Sequence, residues 1–132
     1  KEENLYLFFF FFFSFEQTEQ NYKEESTLAI NIKKYLDENY LEEFILDELA
    51  LKFDLTVVHL IRVFKKEFGL PIHSYILNKK VHLAKELLTS NISISQIAQN
   101  SGFFDQSHLN RSFKRIFQIT PKEYQKNIFS KC

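Results

Sequence analysis

The decamer His59-Leu60-Ile61-Arg62-Val63-Phe64-Lys65-Lys66-Glu67-Phe68 returns 49 residues later as His108-Leu109-Asn110-Arg111-Ser112-Phe113-Lys114-Arg115-Ile116-Phe117. His, Leu, Arg, Phe, Lys and the final Phe are identical, and Lys66 is answered by Arg115. Leu49-Ala50 reappears as Ile97-Ala98, 48 residues on. A short segment with a small Ala, a tight turn and a longer amphipathic segment are therefore present twice. Leu and the two Phe fall on one face of a helix, and Arg and the basic pair fall on the other. An Ala where two helices cross lets them approach closely, as a helix-turn-helix requires.

Working outward, the pattern stays helical. Leu28, Ile32, Tyr35 and Leu36 share a face from Thr27 onward, and Tyr40–Glu43 breaks it. Leu46, Leu49, Ala50 and Phe53 mark a short helix, and Thr56 is placed to cap the next. Gly69 ends that helix, and Pro71 sits where a first-turn proline does no harm. Ile72, Tyr75, Ile76, Leu83, Leu87 and Leu88 predict a connecting helix over about 71–89. Ser93 through Gln96 and Thr120 through Glu123 read as capping boxes, and Asp105 as the cap of a helix running to Phe117. With two glycines and two prolines, a turn-rich β architecture is excluded, and about seven helices are expected in an all-α fold. Two helix-turn-helix units, about 27–69 and 90–128, are joined by the connecting helix into one module over 27–128.

Net charge is zero, but the charge is segregated. Lys1–Thr27 holds two basic and six acidic residues, and Leu28–Leu55 three and seven. Thr56–Cys132 holds twelve basic against four acidic, a net +8. A distant acidic segment does not cancel that surface beyond a Debye length of roughly 8 Å. Two outward basic faces in matching register point to duplex DNA. The first residues of a recognition helix enter the major groove. These are Val57, Val58, Ile61 and Arg62 in the first unit and Gln106, Ser107, Asn110 and Arg111 in the second. Gln and Asn suit adenine, Arg suits guanine, and apolar groups suit the thymine methyl. Lys65, Lys66, Lys114 and Arg115 are assigned to phosphates, which set affinity and register. A connecting helix of 19 residues would be roughly 28 Å long, near the 34 Å of one duplex turn. A competing reading makes the apolar Val58 and Ile61 a protein-docking face.

Residues 1–26 differ in character. Leu5–Phe15 is apolar apart from Ser14, with Glu2, Glu3 and Glu16 flanking it. It reads as the surviving buried helix or strand of an upstream domain. The end of a membrane segment and a low-complexity stretch are the alternatives, since a span needs about 20 apolar residues. Gln17–Ser26 reads as an acidic linker, and the absence of Met, even at position 1, reads as a piece cut from a longer chain. Cys132 stands alone, so neither a disulfide within the chain nor a zinc finger is expected, and a reducing cytoplasm suits it. His59 and His108 are read as packing residues. His73 and His82, nine apart, are poorly spaced for a metal, so no metal or other cofactor is expected. No nucleophile or acid–base constellation suggests an enzyme.

Thr27 to about Asn127 resembles the DNA-binding domain of the AraC/XylS family of bacterial regulators. The resemblance is carried by Ile94, Ile97-Ala98, Gly102-Phe103, His108-Leu109, Arg111, Phe113-Lys114, Phe117, Thr120-Pro121 and Tyr124. It implies seven helices, the third and sixth in consecutive major grooves, and transcription regulation, activation included, as the activity. RNA polymerase and a homodimer formed through a missing upstream domain are further implied partners. Three departures stand out. Gln118 replaces a usual Gly and should blunt the end of the sixth helix. Ile45 replaces a Ser-type cap and should loosen the second. Lys80 replaces an Arg on the connecting helix.

Overall fold

No glycine or proline precedes Gly69, so nothing in the first third of the chain forces a helix to stop. The computed structural model describes residues 2–130, which leaves Cys132 outside the described residues. Helix α1 is continuous over Glu2–Asn39. Gln17–Ser26, expected as a linker, is helical, and the helix expected to begin near Thr27 begins 25 residues earlier at Glu2. Its Glu, Gln and Lys are good helix formers, so polarity alone does not make the segment a coil. Leu46–Lys52 forms α2, Val57–Phe68 α3, Ile72–Leu87 α4, Ile94–Asn100 α5, Gln106–Phe117 α6 and Pro121–Ser130 α7. No strand occurs among the described residues.

Two cores organise the helices. The first joins Ala29, Ile32 and Leu36 of α1 with Leu49 and Ala50 of α2, Leu60, Val63 and Phe64 of α3, and Ile72 and Ile76 of α4. The second joins Val81 and Ala84 of α4 with Leu88, Ile97 and Ala98, Phe103, and Leu109 and Phe113 of α6. Helix α4 thus gives its first half to one unit and its second half to the other. Val81 and Ala84 were absent from the expected apolar face. Leu83 and Leu87, which were on it, are only half-buried. Val81 and Ala84 are fully buried in the second core beside Leu88, and Leu87 packs partly buried against it. The helix spans 16 residues, about 24 Å at 1.5 Å per residue, and Pro71 is its N-cap, one position before the helix.

The duplication reaches past the decamer. Phe64 packs on Phe68 and Tyr75, with centroids 4.8 and 5.5 Å apart. Phe113 packs on Phe117 and Tyr124 at 4.7 and 5.8 Å. Thr56 Oγ1 accepts from the His59 amide, and Asp105 Oδ1 accepts from the His108 amide. Gly69 and Gln118 both adopt left-handed backbone, with φ of 75° and 69°, and each amide returns to the Lys carbonyl four residues earlier. Gln118 therefore keeps the sharp helix end that its identity was expected to blunt. The left-handed cost of about 1–2 kcal/mol for a residue with a Cβ is tolerated because the amide closes the cap.

Other caps vary. Thr120 and Glu123 form a reciprocal box, each side chain accepting from the other's amide. Ser93 accepts from the Gln96 amide, but the Gln96 side chain turns to Asn100 and leaves that box half made. Ile45 supplies no side-chain cap to α2, as its identity implied. Between α1 and α4, the Asp37 carboxylate accepts from Lys33 Nζ at 3.0 Å, from Lys79 Nζ at 2.6 Å and from the Tyr75 hydroxyl.

Candidate nucleic-acid interface

Each recognition helix is fixed by the same three devices: a capped start, a Leu and Phe pair driven into its own core, and a left-handed stop. What remains outward is the polar edge. On α3, Val58, Ile61, Arg62, Lys65 and Lys66 are exposed, and Val58 is 77% accessible. Val57 is half-buried and packs against the first core, which turns it away from the outer edge of α3. On α6, Gln106, Ser107, Arg111, Lys114 and Arg115 are exposed, and Asn110 is half-exposed. The structure thus brings seven of the eight proposed base readers and all four proposed phosphate groups to the outer faces of α3 and α6. His59 and His108 are half-buried, and the His108 ring lies edge-on to Phe103 at 5.2 Å.

The two turns differ by one residue. Leu55 and Phe103 occupy equivalent places, their amides bonded to the Ala50 and Ala98 carbonyls. Before the next cap the second turn holds an extra residue, Phe104, which is 93% exposed. This large apolar side chain beside Gln106 was not among the expected site residues. The signal for it lay in the repeat offset, which changes from 48 to 49 across the turn. Gly102 closes this turn with φ of 82°, and a Cβ there would meet Lys80 Cε at 3.1 Å and Leu41 Cδ2 at 3.2 Å. Burial of the Lys80 stem lowers its ammonium pKa. Lys80 thus lies where α4, the turn after α1 and the second helix-turn-helix turn converge.

The two faces also differ electrostatically. On α3, Arg62 Nη2 lies 3.8 Å and Lys66 Nζ 3.2 Å from the Glu25 carboxylate of α1. Among the described residues no salt bridge engages Arg111, Lys114 or Arg115. No group of three or more His, Cys, Asp or Glu is placed to hold a metal among the described residues. No helix there is long and apolar enough to cross a membrane.

Two small helical cores, each presenting one capped helix with an outward basic edge, define a double helix-turn-helix DNA-binding domain. Residues 49–127 match a family described as a helix-turn-helix domain. The multiple antibiotic resistance protein MarA of Escherichia coli strain K12 is 34% identical over 104 residues, covering 76% of this chain and 82% of MarA. The C-terminal domain of the two-component response regulator yesN of Fusobacterium nucleatum is 38% identical with a TM-score of 0.66, covering 71% of this chain and 93% of that domain. The DNA-binding domain of AdpA, a global transcriptional factor solved in complex with a target DNA, shares the fold with a TM-score of 0.72 at 22% identity, covering 78% and 94%. The chain belongs to the AraC-type helix-turn-helix family of transcription regulators. It spans 42% of the length of two further curated relatives and 32% of a third.

Proposed function

We propose that residues 27–128 form a DNA-reading module that places α3 and α6 in two consecutive major-groove segments of one duplex face. The observation that carries this reading is the shared frame of the two helices. Cap, buried Leu and Phe, and left-handed stop recur at the same offset, so Arg62 and Arg111 leave equivalent positions on their helices. In this assignment Gln106, Ser107, Asn110 and Arg111 supply most of the hydrogen-bond readout. Val58 and Ile61 contact thymine methyl groups, Val57 at most grazes them, and Arg62 adds one guanine contact. Lys65, Lys66, Lys114 and Arg115 hold phosphates, and Phe104 adds an apolar edge beside Gln106. The role is regulatory rather than enzymatic, it is exercised in the cytoplasm, and RNA polymerase and a second copy of the protein are the further partners.

Selection of sites from random duplex DNA, followed by anisotropy titration across salt, tests this. One enriched motif spanning two neighbouring major grooves, more sharply specified on the α6 half, supports it. Absence of binding even at low salt refutes it. The exposure of Val58 favours one second reading, in which the first unit docks a protein. That reading would show as specificity confined to the α6 half.

A further inference from the structure

The contact between α1 and the first recognition helix is built from several groups. Glu25 sets one carboxylate oxygen toward Arg62 and the other toward Lys66. The Lys66 ammonium also lies 5.5 Å from the centre of the Tyr22 ring. One residue further along α1, the Ser26 hydroxyl donates to Glu67 Oε1 at 2.9 Å. Tyr22, Glu25, Ser26, Val63, Lys66 and Glu67 together line a small cavity at this junction. The second unit has no counterpart, because among the described residues no carboxylate pairs with Arg111 or Arg115.

We propose that Glu25 is a resident competitor for DNA at the first recognition helix, and so a residue that sets how reading is divided between the two units. The inference rests on the DNA reading given above. A carboxylate held against Arg62 and Lys66 offers them what a guanine edge and a phosphate would offer. DNA must displace it, and the displaced carboxylate then lies near the polyanion. Both effects weaken engagement of α3, while the unpaired Arg111 and Arg115 meet DNA without this cost. Lys66 also enters the complex already partly neutralised, so wild-type binding releases fewer counterions than its basic residues would suggest.

The test uses the whole chain on its selected duplex, with Glu25→Gln, Glu25→Lys and Ser26→Ala compared with wild type. Exposed ion pairs of this kind are weak, so Glu25→Gln is expected to raise affinity about 2- to 10-fold. It should steepen the salt dependence by up to about one phosphate equivalent, a slope change near 0.9. Mismatches in the α3 half-site should become more costly than in wild type, and Glu25→Lys should move further in the same direction. Ser26→Ala removes a hydrogen bond of the same junction without changing charge, and should leave affinity and slope unchanged. Wild-type binding that neither Glu25 variant strengthens overturns the inference, as does a loss of affinity, which would make Glu25 a positioning group for Arg62. If wild type itself binds no DNA at low salt, the DNA reading fails and this inference with it.

Discussion

Replacing Asp37 with Asn should remove a defined, pH-dependent share of stability. Burial acts to raise the Asp37 pKa, but hydrogen bonds from Lys79, Tyr75 and Lys33 outweigh it and hold the carboxylate at about 2, against an ordinary 3.8. A pKa depressed in the folded state stabilises above the unfolded value, and that stability is lost as pH falls through the folded value. The window therefore runs from about pH 4 down to about pH 2. A displacement of just under two units, at about 1.4 kcal/mol each, sets a ceiling near 2.4 kcal/mol. The Asp37 side chain is 30% exposed and Lys33 40%, so solvent screening brings the expected contribution down to about 1–1.5 kcal/mol. Urea unfolding of wild type and Asp37→Asn, followed by helical circular dichroism, measures it. The gap between the two proteins should be full at about pH 6 and should close as the pH approaches about 2. A gap that stays constant across that range would mean that the carboxylate charge is not what ties α1 to α4.

Gly102→Ala should destabilise by about 1 kcal/mol or more in the same unfolding assay, because a left-handed φ is combined with a Cβ pressed on Lys80 and Leu41. Ile45→Ser should stabilise by about 1 kcal/mol, since the start of α2 has no side-chain cap. Arg111→Ala should cost about 1–3 kcal/mol on the selected duplex and relax one base position, measured by anisotropy against mismatched sites. Lys114→Ala should instead weaken all duplexes alike and flatten the salt slope by about 0.9.

Both recognition helices and their caps were legible because their signals are local. Thr56 and Asp105 stand three residues before the amides they accept, and each Leu and Phe repeats at helical spacing. The end of α6 was harder to read. Gln118 is not a residue that composition marks for left-handed backbone, and its φ of 69° and closing bond to Lys114 reveal what only the repeat position of Gly69 hinted at. The apolar face of α4 was read only in part: Val81 and Ala84 are fully buried while Leu83 and Leu87 stay half-buried, because a helix shared between two cores does not bury a single stripe. The polar stretch 17–26 lacks an apolar period, and its helicity follows from unbroken propensity. The Glu25 contact joins residues 37 and 41 positions apart. No spacing rule reaches across such a separation, so it emerged only once α1 and α3 were packed together.

The unbroken run of α1 has a mechanical meaning. Thirty-eight residues of helix, about 57 Å at 1.5 Å per residue, form a shaft with no glycine or proline at which a twist could dissipate. The exposed aromatic stretch Leu5–Phe15 lies toward one end, Glu25 touches the first recognition helix partway along, and Asp37 grips the connecting helix near the other. The aromatic stretch, the Glu25 contact and the Asp37 joint therefore sit on one helical axis, and the residues between them fix their relative angles. Adding or deleting one residue between Phe15 and Glu25 would re-index the aromatic stretch against the face that carries Glu25 and Asp37 by about 100°.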